Sequence, residues 1–148
     1  LEIENVAHAT EGKPPAKVTV RWDGEHRFDV GVTGKKEVVR LDGNRDAGPS
    51  PVDMLIGALA ACTGVDVVDI LAKRRTPVEG MTINVVGERA NATPARVTKV
   101  TIEYRIRGKG IERVHAERAV ELAVTKYCSV RDSLDPNMPI EWTLELQD

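Results

Sequence analysis

At 148 residues the chain fits one domain that can bury a substantial core. With 41% hydrophobic and 30% charged residues it is neither disordered nor fibrous. Lys and Arg number 21 against 23 Asp and Glu, a formal net charge of −2, which gives no reason to expect nucleic acid or an acidic membrane surface as partner.

The first residues, Leu1-Glu2-Ile3-Glu4, have neither a basic n-region nor an apolar h-region, so no signal peptide is expected and the chain reads as cytoplasmic. Val18, Val20 and Trp22 alternate with Lys17, Thr19 and Arg21, the period-two signature of a half-buried strand. Asp23-Gly24 makes a turn, Phe28, Val30 and Val32 continue on a second strand to form a hairpin, and a third strand is expected over Glu37–Leu41. A turn-rich stretch, Asp42 to Pro49, follows.

Ser50, Pro51 and Asp53 then spell a helix start, with a capping residue, a proline at the first helical position and an acid three residues after the cap. This helix is expected to run from Pro51 to about Arg75, stopped by Pro77. Its first half, Met54 to Cys62, is apolar on every side, which predicts burial all round and therefore a partner subunit. The longest uncharged apolar stretch, Met54–Val65, has 12 residues, short of the ~20 that cross a bilayer, so no membrane span is expected. Lys73-Arg74-Arg75, the densest basic run, suits a solvated helix end.

Two long strands come next. Met81, Ile83 and Val85 lead the first, and Thr98, Val100, Ile102, Tyr104 and Ile106 carry one face of the second. A second helix is expected over Glu112–Tyr127, then a short helical turn. The last strand shows Met138, Ile140, Trp142, Leu144 and Leu146 alternating with polar residues. The order βββ-α-ββ-α-β with one-sided strands predicts an α+β domain covering residues 1–148, its antiparallel sheets packed on helices.

Two cysteines 66 positions apart are too few for a disulfide framework. Cys62 shares a helix face with Leu55, Ala58, Leu59, Val65 and Asp66; apolar surroundings and a negative neighbour would raise its pKa, and by itself it reads as a small core residue. Cys128 directly precedes Ser129-Val130-Arg131-Asp132, read as a capped helix start with Ser129 as cap, whose dipole would lower the thiol's pKa. His8, His26 and His115 lie in different elements, and neither HExxH nor CxxC occurs, so no metal site is expected. No GxGxxG, Walker A or GxSxG motif suggests a nucleotide cofactor or a serine hydrolase, and no cofactor is expected.

The stretch Gly48-Pro49-Ser50-Pro51, then Leu55-Ile56-Gly57-Ala58-Leu59-Ala60-Ala61-Cys62-Thr63, then Asp66, resembles the central-helix signature of the OsmC/Ohr family. Tyr127-Cys128-Ser129-Val130 resembles that family's second cysteine motif, and the wording of both is closer to the OsmC-like branches than to true Ohr proteins. The resemblance implies an intertwined homodimer whose long buried central helices pack together, with active sites at the subunit interface. It also implies a thiol-dependent peroxidase acting in defence against oxidative stress. Cys62 would attack an organic hydroperoxide or hydrogen peroxide and become a sulfenic acid; Cys128 would resolve it as a disulfide, and a dithiol such as a lipoyl group on a carrier protein would restore both thiols. Ohr-type members carry a Glu after the helix-start proline that holds an Arg against the thiolate; here that position is Val52, and Asp53 beside it already has a capping role. Arg21 is the candidate cation, with Arg27 and Arg45 as alternatives. The competing reading is a non-catalytic protein of the same fold that binds a small apolar ligand or senses oxidants.

Overall fold

The structure is a computed structural model and describes residues 12–148; His8 and the first four residues named above lie outside them. The chain divides into two compact units, Leu1–Pro51 and Val52–Asp148, and each carries one three-stranded sheet.

In the first unit β1 (Val18–Trp22), β2 (Arg27–Val32) and β3 (Val38–Asp42) run antiparallel in that order. Val18 pairs with Val32, Trp22 with Phe28, and Phe28 with Leu41, so the predicted hairpin is present. Gly24 takes a φ of 86° at its turn, a conformation that glycine adopts without steric cost. One sheet face is polar: Arg40 donates through Nε to Asp29 at 2.9 Å and through Nη2 to Asp23 at 2.6 Å. The other is apolar and exposed, with Val18 at 61% and Trp22 at 63% of their full accessibility. The third strand ends one residue later than expected, on the buried Asp42. Its carboxylate accepts the N–H groups of Ala47 and Asn44, each at 2.9 Å, which hold it below the usual carboxylate range and order the loop that sequence reads only as turn-rich.

The second unit opens with α1 (Pro51–Lys73). It ends two residues before the expected Arg75. That residue takes a φ of 63°, and the N–H groups of Arg75 and Thr76 donate to the carbonyls of Ala72 and Leu71 at 2.9 and 3.0 Å. These two bonds are a Schellman termination, with arginine in the place where glycine is usual. Leu59, Thr63, Val67 and Leu71 form the buried face of α1 at four-residue spacing. Gly64 brings the helix close to the sheet, where an added Cβ would meet Ile83 Cδ1 at 3.1 Å. Within the single chain the all-round burial expected of Met54–Cys62 is not met at Leu55 and Ala61, and Ala61, Val65, Val68 and Ala72 form an exposed apolar stripe, with Val65 at 61%. By length and composition alone α1 is apolar enough to cross a membrane, contrary to the reading from its longest uncharged stretch. One residue face in this helix is nevertheless built into a protein core.

Strands β4 (Gly80–Arg89) and β5 (Val97–Arg107) pair antiparallel, and β6 (Ile140–Gln147) lies parallel to β5. The second sheet is therefore mixed, and the expectation of purely antiparallel sheets fails at this ladder. Alternation of apolar residues sets which face is buried but carries no direction; the long connection through a helix sets that. The connection holds α2 (Arg113–Leu122), a π turn over Ala123–Tyr127 and α3 (Ser129–Asp132), so the expected Glu112–Tyr127 helix loses its last turn to wider winding. Val100, Ile102, Tyr104 and Ile106 of β5 are fully buried in one cluster with Leu59, Val67 and Leu71 of α1 and Ala119, Val120 and Ala123 around α2. The opposite face is polar, with Lys99 paired to Glu141 at 3.3 Å. The unit is thus helices on one face of a sheet.

Candidate active site

Cys62 sits on α1 at the edge of its buried face and is half-buried; Cys128 stands between the π turn and α3 and is buried, with 4% of its surface accessible. Both thiols are free. The fold brings their side chains close enough to interact, although 66 positions separate them in sequence. Nothing local dictates this meeting: it follows from α1 and the end of the α2 connection sharing one core.

The short helix α3 is capped by Cys128 itself, not by Ser129 as sequence suggests. Cys128 has extended φ and ψ of −75° and 108°, and its Sγ accepts the N–H of Arg131 at 3.3 Å. The expected low pKa is also corrected. Burial pushes the Cys128 thiol up to about 11; the N–H groups of Arg131 and Val130 oppose this, while the hydrogen bond and charge of Cys62 add to it. Desolvation outweighs the donors of a helix this short. At neutral pH Cys128 is therefore a protonated thiol.

A second network lies beneath the pair. Thr63, next to Cys62, donates its hydroxyl proton to the carbonyl of Ala60 at 2.8 Å, so at 2.7 Å from the Tyr104 hydroxyl it must act as acceptor. Tyr104 is pushed up to about 12, by burial first and in part by the charge of Cys128, against the hydrogen bond to Thr63. Sequence reasoning placed Tyr104 on the right face and missed its role. The available signal was a phenol among aliphatic positions, since a buried hydroxyl needs a partner. Arg131, also overlooked, donates to the carbonyls of Asp135, Pro136 and Met138 at 2.8, 3.3 and 2.9 Å and so fixes the loop after α3.

That loop forms one wall of an apolar cavity of about 250 Å³, lined by Leu55, Leu59, Val100 and Met138, with Arg96 and Asp135 also on its wall. Leu55 and Leu59 belong to the same helix as Cys62. Arg21 lies on the polar face of the first sheet directly opposite Asp29, whose carboxyl it helps to hold below the ordinary range. Arg27 approaches Glu25 at 3.6 Å, and Arg45 occupies a left-handed turn with a φ of 61°. Val52 stands in the first turn of α1 and brings no carboxylate there. His115 bonds Arg74 at 2.7 Å on the surface. Among the described residues no three His, Cys, Asp or Glu side chains are grouped to hold a metal ion.

Comparison with known proteins adds an independent line. The model of the OsmC-like protein family matches residues 42–143, a span that includes both cysteines. Protein YhfA of Escherichia coli K12 is 30% identical over 128 residues, covering 86% of this chain and 95% of that protein. Among solved structures, an OsmC-like protein from Mycoplasma pneumoniae superimposes with a TM-score of 0.76 at 15% identity, over 94% of this chain and all of the other. The organic hydroperoxide resistance protein OhrB of Bacillus subtilis gives 0.57 at 19% identity, over 90% and 98%. At those identities the two structures speak for the fold.

Proposed function

The chain belongs to the OsmC-like protein family, and on that premise we propose that it is a thiol-dependent peroxidase that reduces organic hydroperoxides in defence against oxidative stress. The observation that carries this reading is the approach of two free thiols of unequal exposure within one core. Cys62, the more accessible, is the attacking sulfur: its thiolate displaces an alcohol from the hydroperoxide and becomes a sulfenic acid. Cys128 then attacks that sulfur, water leaves, and a disulfide forms. The charge of Cys62 is one of the causes that keep Cys128 protonated. Conversion of Cys62 to a neutral sulfenic acid removes that cause, so Cys128 ionises more readily once its target exists. An external dithiol, of which a lipoyl group is the proposed kind, completes the cycle by exchange. Arg21 is the proposed cation for the Cys62 thiolate. The apolar cavity beside Leu55 and Leu59 favours an organic hydroperoxide over hydrogen peroxide.

The test is direct. Reduced protein given one equivalent of cumene hydroperoxide should lose both free thiols, with peptide mapping showing a Cys62–Cys128 linkage that dihydrolipoamide reverses. Thiols that survive excess hydroperoxide would overturn the reading. They would favour instead a binding or sensing protein, for which the same cavity and Val52 in place of the Ohr-type Glu argue.

The proposed assembly is a homodimer. In the single chain the stripe of Ala61, Val65, Val68 and Ala72 on α1 is uncovered, and so is the apolar face of the first sheet, where among described residues of that unit only Asp42 is buried. Three strands without a covered apolar face do not stand alone. Val65→Asp places a charge in the middle of the helix stripe and is expected to shift the protein from dimer to monomer in sedimentation equilibrium. An unchanged dimer would show that α1 is not the contact.

A further inference from the structure

Among the described residues one buried side-chain oxygen has no hydrogen-bond partner, Oδ2 of Asp66. A carboxylate oxygen removed from water without a donor in exchange is costly and calls for an explanation. Asp66 stands four residues after Cys62 in α1, so the two share a face. Helical side chains lean toward the turn on their N-terminal side, which for Asp66 is the turn that carries Cys62. The position after the helix-start proline offers no carboxylate, being Val52.

We propose that Asp66 is the proton acceptor for the Cys62 thiol, an assignment that rests on the peroxidase reading and supplies the base it otherwise lacks. The S–H bond of Cys62 breaks and its proton passes to Oδ2. One negative charge moves from oxygen to sulfur, and the buried region gains none; ionisation into bulk water would instead leave two anions one turn apart. The thiolate pair attacks the terminal oxygen of the hydroperoxide, an S–O bond forms and the O–O bond breaks. The departing alkoxide takes the proton back from Asp66 and leaves as an alcohol. Sulfur is oxidised to the sulfenic acid, the hydroperoxide is reduced, and the carboxylate is regenerated for the next turnover.

The test uses alkylation of Cys62 by iodoacetamide in the reduced, intact protein, followed by mass spectrometry of the Cys62 peptide so that Cys128 does not contribute. Asp66→Asn keeps the shape and removes the acceptor. It is expected to slow alkylation at neutral pH by roughly 100-fold. The wild-type rate should stay flat between about pH 6 and 8, whereas the variant's should climb about tenfold per unit toward the ordinary thiol range. Asp69→Asn, which removes an exposed charge further along the same helix, should leave the rate unchanged. A simple negative neighbour suppresses a thiolate, so an Asp66→Asn rate equal to or faster than wild type would overturn the proposal. If that variant does not melt cooperatively, the wild-type pH profile decides: a rate that is flat between about pH 6 and 8 supports the assignment, and one that climbs about tenfold per unit over that range would overturn it. Alkylation needs no hydroperoxide, so loss of the peroxidase reading and loss of the Asp66 role give separate results.

Discussion

Cys62→Ser should lower hydroperoxide turnover to the uncatalysed background, a loss of roughly 1,000-fold or more, because a serine hydroxyl is not ionised at neutral pH and is a poor nucleophile toward an O–O bond. Cys128→Ser should behave differently. A serine oxygen at that position can accept the Arg131 N–H that Sγ accepts now, and serine is among the better capping residues, so α3 should persist. The first step is then intact and the second is missing. Cys62 should accumulate as a sulfenic acid that dimedone traps, and steady-state turnover with a dithiol should fall about tenfold, the intermediate being reduced only by direct collision. Stopped-flow hydroperoxide consumption together with dimedone labelling separates the two steps. Dimedone adducts on Cys128 in the Cys62→Ser protein, with turnover retained, would reverse the assignment of roles.

Tyr104→Ala should cost about 3–5 kcal/mol of stability, the range for removing an aromatic side chain from a closed core. Tyr104 has no accessible surface and sits in the cluster that joins α1, the second sheet and α2. Over a chain of this size that is a drop of about 10 °C or more in Tm. Tyr104→Phe should cost only about 1 kcal/mol, since the ring stays and Thr63 keeps its bond to the Ala60 carbonyl. Thermal melts by circular dichroism at fixed protein concentration read both. Equal losses for the two variants would mean that the hydrogen bond outweighs the packing of the ring. Alanine tolerated within 1 kcal/mol would mean that the surrounding elements close over the gap.

What could be read from the amino acids follows from the range of the interactions involved. Strand faces, the hairpin at Asp23-Gly24 and the start of α1 at Pro51 depend on side-chain alternation or on turn and cap chemistry within a few residues, and they stand where expected. The parallel pairing of β6 with β5 does not, because either direction would bury Ile102 and Tyr104 equally well. α1 ends two residues short of the expected Arg75, since an arginine, and no glycine, takes the left-handed position. At the site, both cysteines could be named from sequence, but their approach is a property of the shared core. A helix start is visible in sequence and burial is not: the neighbourhood of Cys128 suggests a lowered pKa, and the interior raises it. The unpartnered oxygen of Asp66 could not be foreseen at all, as satisfaction is known only once every neighbour has a place.

The capping role of Cys128 bears on where the proposed thiol–disulfide couple rests. The Arg131 N–H donates to the Cys128 sulfur, a weak acceptor as a thiol and a strong one as a thiolate, and a poorer acceptor once that sulfur is bonded to another. Whatever stabilises only the reduced form raises the reduction potential of the couple, and a cap bond of about 1 kcal/mol corresponds to roughly 20 mV in a two-electron exchange. The disulfide is thereby made easier to reduce, so that a modest dithiol suffices to return the protein to its resting thiols, and the oxidised form is the short-lived one. A helix of four residues contributes little to the fold; its weight lies in the poise of one sulfur.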